Sequence, residues 1–166
     1  DGSVILDKDI QVFPGSNVNP AGSTISTGQP LLSAGHLIRP TDAAALCMGG
    51  ISVVPVRKKP LVAFIPTGSE LVTAGMRPRR GEMIESNAIM VTHMLEQYGA
   101  ETLAFPIVRD DPSALEAAFT EALNIADVVV INGGSAVGSE DFNVRMIETY
   151  GQVIHHYIAA APGRPL

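Results

Sequence analysis

Asp127-Val128-Val129-Val130-Ile131-Asn132-Gly133-Gly134-Ser135 decides how this chain is read. Its apolar run has no polar alternation. It therefore predicts a strand over 127–131 that is covered on both faces, as in a parallel sheet. The segment from Asn132 to Ser139 follows at the carboxyl end of that strand. Open α/β sheets bind ligands at such ends. Paired glycines let backbone approach an anion, and a following helix offers free amides.

The same alternation extends outward in both directions. Leu61 to Ile65 is a second compact apolar strand, followed by Pro66-Thr67-Gly68-Ser69-Glu70-Leu71. A helix is predicted over Ser86 to Tyr98, with Ile89, Val91, Met94, Leu95 and Tyr98 near helical spacing and Gly99 as its stop. Thr102 to Val108 reads as a strand. Asp111-Pro112 opens a helix whose buried face is Leu115, Ala118, Phe119, Ala122 and Leu123. Asp141 to Tyr150 is a further helix, with Val144, Met146 and Ile147 inward, and Val153 to Ile158 a last strand. Strands alternating with helices imply an α/β fold with a mostly parallel sheet.

The chain changes character near residues 55–60. Residues 1–56 are short apolar stretches between turn signals, such as Pro14-Gly15-Ser16-Asn17 and Asn19-Pro20-Ala21-Gly22. They predict a small β-rich segment with one short helix, Thr41 to Met48, and a short strand over Ile51 to Val56. Residues 57–166 form the α/β domain.

Of 166 residues, 46% are hydrophobic, which is ample for a core, and the net charge is −6. That charge argues against general nucleic-acid binding. No apolar run approaches the ~20 residues of a membrane span. The single cysteine, Cys47, can form no internal disulfide and lies between Leu46 and Met48, which reads as a buried thiol. Composition thus points to a soluble protein of a reducing, cytoplasmic compartment.

Glu70, Asp110, Asp111 and Asp141 all follow predicted strands or open helices. Asp111 is accounted for as a helix cap. Carboxylates beside a phosphate loop suit Mg²⁺, which prefers carboxylate, phosphate and water oxygens. Ser86 and Asn87 are placed to cap a helix or to face a ligand. The four histidines match no zinc spacing, and no Ser-His-Asp triad or Gly-x-Ser-x-Gly elbow can be assigned. The glycine segment is neither a P-loop nor a dinucleotide fingerprint.

Taken in order, these segments resemble the MoeA family of molybdenum cofactor biosynthesis. Thr67-Gly68-Ser69-Glu70-Leu71 resembles its Thr-Gly-Asp-Glu-Leu segment, and Ile84-Glu85-Ser86-Asn87 its Ile-x-Asp-Ser/Thr-Asn segment. Arg109-Asp110-Asp111-Pro112 is similar to its Arg-Asp-Asp segment. Asn132 to Gly138, with Glu140-Asp141-Phe142, is similar to its glycine loop and following Asp-Tyr/Phe. Ala161-Pro162-Gly163-Arg164-Pro165 resembles Lys-Pro-Gly-Lys-Pro, and Gly28 to Gly35 resembles a pattern in the preceding β-rich region. The departures are Ser69 and Glu85 for Asp, Ala136 for Ser, and Ala161 and Tyr157 for Lys.

The resemblance implies a three-layer α/β/α molybdopterin-binding domain over 57–166, cut short at its carboxyl end. It implies a central fragment, inactive alone, of an elongated homodimer. That parent would insert molybdate into adenylylated molybdopterin with Mg²⁺ and release AMP. By position, Glu70, Asp110 and Asp141 would be catalytic, with Asp110 and Asp141 holding the metal. Thr67, Gly68, Asn87, Gly133, Gly134, Ser135, Gly138 and Arg164 would contact the pterin phosphate. The alternatives are a molybdopterin adenylyltransferase using MgATP, and a non-catalytic molybdopterin-binding or sensing module. An adenylyltransferase is also an expected partner, and neither nucleic acid nor membrane is.

Overall fold

A computed structural model describes residues 13–133 and 140–155, with Gly2, Ile5 and Gln11. The chain divides into two compact units, Asp1–Val56 and Arg57–Leu166.

In the first unit the described residues form one helix, α1 (Pro40–Met48), among turns. Pro40 takes the first helical position, where a missing N–H does no harm. Asp42 then accepts the backbone N–H of Arg39 (2.9 Å). The same carboxylate receives Arg39 Nε (3.0 Å) and Nη2 (3.1 Å), and His36 Nε2 lies 2.8 Å away. The Arg39 guanidinium first, then His36 and the Arg39 amide, hold the Asp42 carboxyl well below the usual carboxylate range. Leu46 is buried, whereas Cys47 is exposed, contrary to the expected buried thiol. One residue is the whole difference: successive helix positions lie about 100° apart, so Leu46 and Cys47 cannot share a face.

The expected β-rich character of this unit is not met among its described residues, nor is a strand over 51–56. Val53 and Val56 are largely exposed. An apolar stretch becomes a strand only when a neighbour takes its N–H and C=O groups, and the described residues supply none.

The second unit begins with β1 (Leu61–Pro66), followed by a two-stranded parallel sheet of β2 (Leu71–Val72) and β3 (Met83–Ile84). Then come α2 (Asn87–Gln97), β4 (Glu101–Ala104), α3 (Pro112–Ile125), β5 (Val128–Asn132) and α4 (Glu140–Tyr150). The main sheet has the order β4-β1-β5, and both pairings are parallel. Parallel neighbours need crossovers, and α2 and α3 supply them.

Helices α3 and α4 pack on one face of the sheet. Ala63 and Ile65 of β1 form a buried core there with Leu115, Phe119, Ala122 and Met146. Phe119 meets Tyr150 edge to face, with centroids 5.7 Å apart. Val62 and Phe64 alternate to the opposite face of β1, and both are buried. Helix α2 packs against β1 and β4. The result is the α/β/α sandwich anticipated from sequence.

Four details differ. Helix α2 turns Ala88, Val91, Thr92 and Leu95 inward, the i, i+3, i+4, i+7 set, and leaves Ile89, Met94 and Tyr98 mostly exposed. Leu123 of α3 is also partly exposed. Strand β4 ends at Ala104, short of the expected Val108, because Pro106 has no N–H for a ladder. Residues 153–155 are not in a strand, and the rest of the expected last strand lies outside the described residues.

Candidate functional site

The strand order locates the crevice. From β1 the chain goes through α2 to β4 on one side, then through α3 to β5 on the other side of β1. The direction of winding therefore reverses between β1 and β5. In open α/β sheets the ligand crevice lies at that reversal, beyond the carboxyl ends of the two strands. Pro66-Thr67-Gly68 and Asn132-Gly133 occupy those ends.

The two ends are tightly joined. Thr67 is buried and donates its N–H to the Asn132 carbonyl (2.7 Å), with Oγ1 a longer donor to the same oxygen (3.3 Å). Gly133 lies against this residue. A Cβ there would overlap the carbonyl oxygen and Oγ1 of Thr67, and its φ of +139° disfavours any L side chain. The glycine is thus required by contact and by conformation.

Gly68 has φ +150°, and the Glu70 carboxylate folds back over it. A Cβ on Gly68 would lie 2.7 Å from Glu70 Oε2. The Gly68 N–H is engaged by the Val108 carbonyl (3.0 Å). Both donors of Thr67 and the amide of Gly68 are thus committed to the scaffold, while the Glu70 side chain stays exposed.

Beside this turn runs the segment leading into α3. Asp110 Oδ2 accepts the Ser69 N–H (2.9 Å), and Ser69 Oγ accepts the Asp110 N–H (3.1 Å). Asp111 caps α3 by accepting the Ala114 N–H (2.8 Å), as expected from sequence. Asn87 is the first residue of α2 and is exposed; neither it nor Ser86 makes the cap. Glu85 does, accepting the Ala88 N–H (2.9 Å). The sequence marks Glu85 only as a departure from Asp, although an acidic residue just before a helix start is the usual signal of a cap.

Asp141 is the second residue of α4. Gly134, Ser135, Gly138 and Arg164 lie outside the described residues. Among the described residues no group of three or more His, Cys, Asp or Glu is placed to hold a metal ion. Asp110, the described side chain of the expected metal pair, already has one oxygen on the Ser69 amide.

A model of a probable molybdopterin binding domain matches residues 63–166. The chain belongs to this molybdopterin-binding-domain family. The match includes most of β1, both loops of the crevice, and every later element. The chain is 32% identical over 154 residues to a molybdopterin molybdenumtransferase of Nostoc, covering 92% of this chain and 35% of that protein. It is 29% identical over 162 residues to a putative molybdopterin biosynthesis protein of Methanocaldococcus jannaschii, covering 93% and 40%. The crystal structure of a molybdopterin biosynthesis MoeA protein from Pyrococcus horikoshii superposes with a TM-score of 0.75 at 35% identity. That alignment covers 87% of this chain and 36% of that one. This MoeA-like chain therefore spans little more than a third of the length of these relatives. No described helix is long and apolar enough to cross a membrane.

Proposed function

We propose that this chain is the pterin-phosphate-binding core of a protein that inserts molybdate into adenylylated molybdopterin and releases AMP. The observation that carries the proposal is the winding reversal between β1 and β5, which in open α/β sheets marks the ligand crevice. Its floor is closed by the contact of Gly133 with Thr67, in a chain of the molybdopterin-binding-domain family. At that floor a side chain would displace the scaffold, so the glycine lets the ends of β1 and β5 close together beneath the ligand. In this reading Gly134, Ser135 and Gly138 offer backbone amides to the phosphate oxygens, and Arg164 adds a cation. Glu70 orients the incoming oxyanion through water, and Asn87 borders the site.

The reading keeps Mg²⁺ as a companion of the phosphate oxygens, where it neutralises charge, with Asp141 as its protein carboxylate. The parent is proposed to act in the cytoplasm as a homodimer. Its partner is an adenylyltransferase that supplies the activated pterin.

The test is calorimetric titration of molybdopterin into the folded chain, with and without Mg²⁺, and into Asp141→Ala. Saturable binding that weakens about tenfold in the variant is expected, the loss of one charge-assisted contact. Absence of saturable binding by a folded sample overturns the proposal.

A further inference from the structure

We infer that Asp110 is a positioning residue, which sets the Gly68-Ser69-Glu70 turn through Ser69, and not a metal ligand. The inference rests on the proposed ligand site but can fail separately from it.

Two observations lead there. First, the β1–β4 ladder stops at Ala104, yet the two chain segments stay hydrogen-bonded beyond it, with the pairing shifted by one residue from Phe64↔Ala104 to Thr67↔Val108. Phe105 N–H donates to Phe64 O and Val108 N–H to Pro66 O (both 2.8 Å), and Gly68 N–H returns to Val108 O (3.0 Å). Thr67 and Val108 form an isolated parallel bridge. The Ser69–Asp110 exchange is the next rung, made by side chains where the backbones have ended: amide to carboxylate one way, amide to hydroxyl the other. Second, Asp110 has no other structural duty in view, because Asp111 supplies the α3 cap.

The consequence reaches the site. Ser69 stands between Gly68, whose φ is +150°, and Glu70, whose carboxylate lies over Gly68. With its amide tied to Asp110, Ser69 fixes the direction in which the chain leaves β1. Glu70 is then presented at the rim of the crevice. Without the tie, Ser69 is held only through its neighbours, between Gly68, which tolerates many conformations, and Glu70, whose carbonyl accepts the Met83 N–H (2.8 Å).

The experiment compares the full chain with Asp110→Asn and Asp110→Ala by two readouts. One is amide hydrogen exchange at Ser69; the other is molybdopterin affinity with and without Mg²⁺. Asn keeps an acceptor oxygen for the Ser69 amide but removes the charge a metal needs. A positioning role predicts that Asp110→Asn rescues both readouts to within about threefold. Asp110→Ala should speed Ser69 exchange about tenfold and weaken binding about tenfold, with the Mg²⁺ dependence kept. If Asp110→Asn loses affinity and Mg²⁺ dependence as fully as Asp110→Ala, Asp110 is a metal ligand and the inference falls. Unchanged Ser69 exchange in Asp110→Ala overturns it as well. If wild type binds no molybdopterin, the proposed function fails, and the exchange readout alone decides for or against the tie.

Discussion

Replacing Gly133 with alanine probes the crevice floor most directly. The new Cβ would occupy space held by the carbonyl oxygen and Oγ1 of Thr67, a buried residue with no room to withdraw. Two contributions follow. Holding a non-glycine residue at φ +139° costs about 1–3 kcal/mol. Relieving the overlap parts the ends of β1 and β5 and breaks the 2.7 Å bond from Thr67 N–H to Asn132 O, which costs about 1 kcal/mol more. The sum is ~3 kcal/mol, large beside the ~1 kcal/mol of an average substitution. Gly99→Ala is the matched control. Its φ is +91°, but nothing lies within 4 Å of an added Cβ, so only the backbone contribution applies. Urea unfolding followed by far-ultraviolet circular dichroism measures both. Gly133→Ala should fall below Gly99→Ala by ~1 kcal/mol or more, with the m-value unchanged. Equal midpoints for the two variants would refute the steric account of the crevice.

Three other outcomes are expected. Asp111→Ala removes the acceptor of the Ala114 amide at the start of α3 and should cost about 1 kcal/mol in denaturant midpoint analysis; Asp111→Asn should recover most of it. Phe119→Ala empties a buried position between the sheet and Tyr150 and should cost ~3–5 kcal/mol, a loss that thermal melting would register as a large drop. The Asp42 carboxyl, lowered by the Arg39 guanidinium and then by His36, contributes stability that is fully present above its unfolded value of about 3.9. That contribution is lost only as pH falls through the lower folded value. A carboxyl-carbon NMR titration should leave Asp42 flat through pH 4, and an ordinary midpoint near 4 would contradict the Arg39–Asp42–His36 geometry.

Much of the fold was legible because it rests on local periodicity. The uninterrupted Val128–Ile131 run, the Asp111-Pro112 start and the 115, 118, 119, 122 spacing of α3 each state their structure within a few residues. The two glycine-bearing loops were also legible as ends of strands. Helix α2 shows the limit. Its sequence is apolar on more than one side, so periodicity could not tell the Val91–Leu95 face from the Met94–Tyr98 face, and packing on the sheet chose. In the first unit, short apolar stretches looked like strands, but strand formation depends on a partner that local sequence does not name.

Sequence by itself determined the succession of strands and helices, the cap of α3, and the family that its ordered motifs announce. Tertiary structure alone decided that β1 lies between β4 and β5, and so put the winding reversal and its crevice beside Thr67 and Gly133. It alone brought Ser69 to Asp110 across 41 positions of chain. The physical reason is the range of the forces involved. Helix caps and hydrophobic spacing act over three or four residues. The order of strands, the overlap that excludes a Cβ and a carboxylate's choice of amide arise only after distant segments have been packed together.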